Sequence, residues 1–115
     1  MKNAQLMTLG EMTVYSPGVL ICDVKGIGDS KITCPVELIE FRLHPFAVST
    51  PHSHPSAEIW RITSGHGRVM TDDGELPIKA GDLVFLRPNQ THYLQNSGSE
   101  DLSALSISWK QLNDR

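Results

Sequence analysis

At 115 residues, 39% of them hydrophobic and with a formal net charge of −3, the chain is long enough for one domain with its own core and too short for two ordinary ones. The slight acidic balance offers no basic field for a nucleic acid, and the longest apolar runs, such as Leu83 to Leu86, fall far short of a membrane span. Met1 to Met7 lacks the apolar stretch and cleavage site of a secretory signal, so a cytoplasmic location is expected.

Residues 1–18 read as an N-terminal arm with room for one short strand, closed by the turn signal Ser16-Pro17-Gly18. Residues 19–115 read as the single domain. Val19 to Val24 is β-branched and apolar enough for a strand. Gly26-Ile27-Gly28-Asp29-Ser30 is a loop, since it lacks the third glycine and the following helix of a phosphate-binding fingerprint. Cys22 and Cys34, the only two cysteines, match neither a redox pair nor a zinc knuckle and read as free core thiols. Val36 to Leu43 alternates Ile39, Phe41 and Leu43 against Glu40 and Arg42, the pattern of a half-buried strand. His44-Pro45-Phe46 ends it, which makes His44 a loop histidine.

His52 and His54 stand at i and i+2, so on an extended chain both imidazoles face the same way and can reach one ion. From Glu58 the period of two continues, and Glu58 and Trp60 look into one space. Ser64 to Gly67 reads as a turn, Arg68 to Thr71 as a strand, Asp72-Asp73-Gly74 as a hairpin and Leu76 to Lys79 as its second arm. After Ala80-Gly81-Asp82, Leu83 to Leu86 is apolar on both faces, as for a strand covered on both sides by another sheet or a partner subunit. Arg87 to Gln90 turns the chain, and His92, Leu94 and Asn96 then share a face. In the last strand, Leu102 to Trp109, Leu105, Ile107 and Trp109 alternate with Ala104, Ser106 and Ser108. Short strands with frequent turns and no three-turn amphipathic helix indicate an all-β sandwich or barrel.

Three imidazoles and one carboxylate, His52, His54, Glu58 and His92, are a ligand set for one divalent ion. Nitrogen and oxygen donors without thiolate suit Fe, Mn, Zn, Ni or Co. Trp60, Leu94 and Asn96 are candidate pocket neighbours. His66, Tyr93, Arg68 and Glu40 are candidate general acids or bases, with Tyr93 turned away from His92 by the alternation.

These residues carry a resemblance to the cupin superfamily, covering about residues 36–109. His52, His54, Glu58 and Gly65 hold the places of the family's first motif, and Gly81, His92 and Asn96 those of its second. The sequence departs from the pattern at Phe46, where the first motif opens with glycine, and at Pro88 and Asn89, where the second has a proline one place earlier and then glycine. Asparagine tolerates positive φ, whereas Phe46 suggests a rebuilt loop before His52. The resemblance implies a double-stranded β-helix, or jelly-roll barrel, and a small-molecule ligand. It is consistent with a metal-dependent isomerase, lyase, cyclase or dioxygenase acting on a small oxygenated substrate. A sugar- or metabolite-binding or sensing domain without turnover is the alternative, and an accessory protein of a biosynthetic pathway looks the same at this level. A homodimer through Leu83 to Phe85 and the Leu105, Ile107 and Trp109 face is expected from the apolar surface and by analogy with small cupins.

Overall fold

The computed structural model describes residues 6–25 and 35–110, with no helix among them. The Gly26 to Ser30 loop and Cys34 lie outside the described residues. The strands are β1 (Thr8–Leu9), β2 (Thr13–Ser16), β3 (Val19–Lys25), β4 (Glu37–Leu43), β5 (Ser56–Ser64), β6 (His66–Thr71), β7 (Gly74–Lys79), β8 (Leu83–Leu86), β9 (His92–Asn96) and β10 (Leu102–Lys110). A large sheet runs β1-β3-β4-β10-β5-β8 with β2 also on β3, and a small one runs β7-β6-β9. The pairings within both sheets are antiparallel. This is the expected double-stranded β-helix.

Alternation along the strands decides which side chains meet. Phe41, Leu43, Trp60, Ile62, Val84 and Leu86 of the large sheet pack against Val69, Ile78 and Leu94 of the small one. The central strand β10 turns small residues inward: Ala104 lies between Phe41 and Ile62, and Ser106 between Ile39 and Trp60. The Phe41 and Trp60 rings therefore meet edge to face across it, with centroids 5.2 Å apart. Room for a cavity comes from the same small residues. Pro77 sits on β7, an edge strand of the small sheet, where a missing N–H costs no ladder bond.

Four details differ from the expectations. The arm supplies two strands, β1 and β2, because both find open backbone positions along β3. His66 and Gly67 belong to β6 and not to a turn. The break is at Gly65, with φ of 81°, where a Cβ would lie 2.6 Å from the Asp101 carbonyl oxygen. In β8 only Val84 and Leu86 are buried, while Leu83 and Phe85 are 64% and 55% exposed, so the described residues cover the strand on one face. The loop before His52 keeps the backbone that glycine would adopt there: Phe46 has φ of 63° in a turn closed by Ala47 N–H donating to the His44 carbonyl at 3.0 Å. That conformation costs a residue with a Cβ about 1–2 kcal/mol. Asn89, with φ of 64°, does the same in the second motif.

Candidate metal centre

The centre forms where the two sheets close on each other. His52, outside the strands, exchanges two backbone hydrogen bonds with His92 of β9, at 3.2 and 3.0 Å. The Asn89 N–H donates to the His54 carbonyl at 2.7 Å, which ties the turn before β9 to the segment that carries His54. Glu58 comes from β5 of the opposite sheet and is 8% exposed. His52 is exposed, His54 half-buried and His92 only 1% exposed, so the set runs from the mouth of the barrel inward.

The ring orientations are fixed by one repeated device. Nδ1 of His52 lies 3.1 Å from the Thr50 carbonyl, Nδ1 of His54 3.0 Å from that of Ser56, and Nδ1 of His92 3.0 Å from that of Gln90. A carbonyl oxygen can only accept, so each Nδ1 carries a proton, which in a neutral ring leaves Nε2 its lone pair. The three residues' candidate ligand atoms lie within 4.8 Å of one another, positioned to hold one metal ion.

Glu58 divides its carboxylate between two tasks. Oε2 accepts from Trp60 Nε1–H at 2.7 Å and from the Ser106 hydroxyl in a short hydrogen bond. Oε1 stands 3.0 Å from His54 Nε2 and 3.6 Å from His92 Nε2. With both imidazoles neutral, lone pairs face a carboxylate oxygen, an arrangement that a cation between them makes favourable. His92 Nε2 is buried with no hydrogen-bond partner among the described residues. A divalent ion fits this donor set on chemistry and on the orphaned nitrogen alike.

Burial holds the His92 imidazole below its ordinary pKa, with smaller depressions from His52 and His54, against the opposing pull of the Gln90 carbonyl and Glu58. A neutral ring is the form that binds metal.

Beside the cluster lies a cavity of about 180 Å³ to which Trp60, Leu94, His52 and Glu58 contribute. Asn96 does not line it. Its Nδ2 donates to the carbonyls of Leu43, His44 and Glu100, and its Oδ1 accepts from Gly98 N–H at 2.9 Å, so its amide is used up in holding the loop after β9. None of the acid or base candidates enters the centre. Arg68 is exposed and lies 3.6 Å from Glu75, His66 is exposed with Gly98 packed against its ring, and Tyr93 and Glu40 sit at strand positions that alternate away from it. His44 faces Asp101 at 3.3 Å. Sequence reasoning missed Ser106, 48 residues from Glu58. Its only signal was the inward face it shares with Ala104.

Fold and centre together define a small jelly-roll barrel with a three-histidine cluster at one end. A family model described as a cupin domain matches residues 39–108, and the chain belongs to the cupin family. It is 40% identical over 58 residues to an oxalate-binding protein of Thermotoga maritima, a match covering 49% of this chain and 47% of that one. The match thus spans about half the length of that relative. Among solved structures it resembles the plu4264 protein from Photorhabdus luminescens, at 21% identity and a TM-score of 0.76 over 96% of this chain and 90% of that one. It also resembles a predicted oxalate decarboxylase from Thermotoga maritima, at 23% identity and a TM-score of 0.72 over 91% and 94%. At these identities the structural likeness shows the fold.

A depressed folded-state pKa at His92 means that the unfolded chain takes up this proton first as pH falls. The stability tied to it is complete above the ordinary histidine value of about 6.5 and is lost as pH drops below it. Denaturant unfolding of the metal-free protein should therefore show a midpoint that falls between about pH 7.5 and 5.5, and His92→Gln should flatten that dependence.

Proposed function

We propose that this cupin binds one divalent transition metal through His52, His54, His92 and Glu58 and acts as an enzyme on a small oxygenated substrate. The observation that carries the reading is the set of three imidazoles, each held by an Nδ1 bond to a carbonyl, with the buried His92 Nε2 left without a partner. Iron, manganese, nickel, cobalt and zinc all suit these donors. A bound divalent ion supplies Lewis acidity, polarising a carbonyl or hydroxyl oxygen and acidifying the neighbouring proton. The chain's own part is to orient. Trp60 and Ser106 fix one oxygen of Glu58, which aims the other at the cluster, and the cavity beside it is lined mainly by apolar side chains. Isomerisation, elimination, cyclisation and dioxygenation are all reactions that an ion held by these donors supports.

The relative's name favours a second reading, a domain that holds a small carboxylate without turnover. Turnover of an oxygenated substrate by the metal-loaded chain separates the two, because the binding domain would show saturable binding alone.

Association through the outer face of the large sheet also belongs to the proposal. Phe85, Ile59, Ile107 and Leu38 form one cross-strand row, and Leu83, Arg61, Leu105 and Glu40 form the next. A two-fold axis lying along β10 sets Ile59 of one copy over Leu38 of the other and Arg61 over Glu40, so the face is complementary to itself in shape class and in charge. Sedimentation at micromolar concentrations should give a dimer that weakens at least about tenfold in Arg61→Glu and recovers in the Arg61→Glu, Glu40→Arg double variant. A monomeric wild type, or a double variant no better than the single one, contradicts the dimer.

Elemental analysis of protein purified without added metal, and again after reconstitution, should find about one equivalent of a transition metal. His92→Ala should abolish it, and Ser106→Ala, which frees Glu58 Oε2, should weaken metal affinity about 10- to 100-fold. Absence of any metal near one equivalent in the reconstituted wild type overturns the reading.

A further inference from the structure

The cavity beside the imidazoles has a chemical character of its own. Its walls are Val19, Ile21, Ile39, Phe41, Trp60 and Leu94, hydrocarbon and aromatic throughout, and His52 and Glu58 close the end next to the cluster. The remaining polar groups are few. The Ser106 hydroxyl donates its hydrogen bond to Glu58, and the Ser49 hydroxyl accepts from Leu94 N–H at 2.8 Å and keeps its own proton to donate. Tyr15 of β2 stands at the exposed rim. Among the described residues lining the cavity there is no lysine or arginine.

Three neutral imidazoles and one carboxylate leave a divalent ion a residual charge of about +1. One carboxylate cancels that charge. A dianion would leave the centre with a net charge of about −1, with no lysine or arginine among the described lining residues to meet it, which is unfavourable beside hydrocarbon walls. A polyhydroxylated acid would bury several hydroxyls where, among the described lining residues, Ser49 and Tyr15 alone have a hydroxyl proton to give. The volume of about 180 Å³ is slightly more than the roughly 150 Å³ of an apolar cavity that accepts benzene.

We propose, on the basis of the metal reading above, that the site selects a monocarboxylate carrying a compact hydrocarbon or aryl body, in preference to dicarboxylates and sugar acids. The carboxylate meets the cluster and the Ser49 hydroxyl, and the apolar body fills the space between Phe41, Ile39 and Leu94. The preference differs from the oxalate named for the half-matching relative, and the reason lies in the cavity walls and not in the ligand set.

Calorimetric titration of the reconstituted, metal-loaded protein with benzoate, oxalate and gluconate tests this, with metal content measured before and after each titration. Benzoate should bind at least about tenfold more tightly than either of the others, from the missing second cation and the unanswered hydroxyls. Ile39→Arg, which puts a cation on the wall, should weaken benzoate and strengthen oxalate by a similar factor. If that variant does not fold, the wild-type ranking decides alone. Metal uptake with oxalate or gluconate bound as tightly as benzoate, or with none of the three bound at millimolar concentration, overturns this inference and leaves the metal reading standing. Failure to take up metal overturns both.

Discussion

Each imidazole of the cluster gives its Nδ1 proton to a carbonyl oxygen two residues away, and the chemistry of the molecule depends on that bond being made three times. It fixes the ring rotation and, in a neutral ring, the tautomer, and the candidate ligand atoms of the three residues lie within 4.8 Å of one another. The carbonyls are available because Thr50 lies in the irregular run before His52, Gln90 in the turn before β9, and Ser56 opens β5. Irregular backbone around the histidines is thus the source of their order.

Glu58 has the complementary position. It rises from the large sheet, whose ladder sets it opposite Leu86 and Ser108, and its carboxylate spans the gap to His92 of the small sheet and to His54 in the segment before β5. Trp60 and Ser106 hold one of its oxygens, so the other has little freedom. The centre therefore forms only when the two sheets pack, and packing brings lone pairs and a carboxylate together in a way that favours a cation. Backbone strain at Phe46 and Asn89 belongs to the same economy: both residues hold positive φ in the turns that lead to His52 and His92.

Much of this was legible in the sequence where the period of two governs. His52 with His54, Glu58 with Trp60, and His92 with Leu94 could each be assigned a common face from spacing, and the fold class followed from the strand pattern and the resemblance to cupins. What spacing could not supply was contact between distant strands. Ser106 reaches Glu58 only because β10 lies between β4 and β5, an order that no local pattern states. Asn96 shares the His92 face, yet its amide turns to the carbonyls of the neighbouring loop, since buried backbone acceptors there have to be satisfied. Phe46 was read as a sign of a rebuilt loop because a phenylalanine at positive φ is disfavoured. The turn holds it there all the same, for the closing bond from Ala47 and the path to His52 outweigh a cost of about 1–2 kcal/mol.

With Nδ1 of each ring held to a carbonyl, the imidazoles are set for a cation before one arrives. Long-range proton–nitrogen correlation spectra of the histidine rings, recorded on metal-free protein at about pH 7.5, test it directly. The Nδ1–H tautomer is expected at His52 and His92, with a shift of all three Nε2 resonances that is complete at about one equivalent of Zn²⁺. Nε2–H tautomers at His52 and His92 in the metal-free protein, or Nε2 resonances unmoved by zinc, would contradict it.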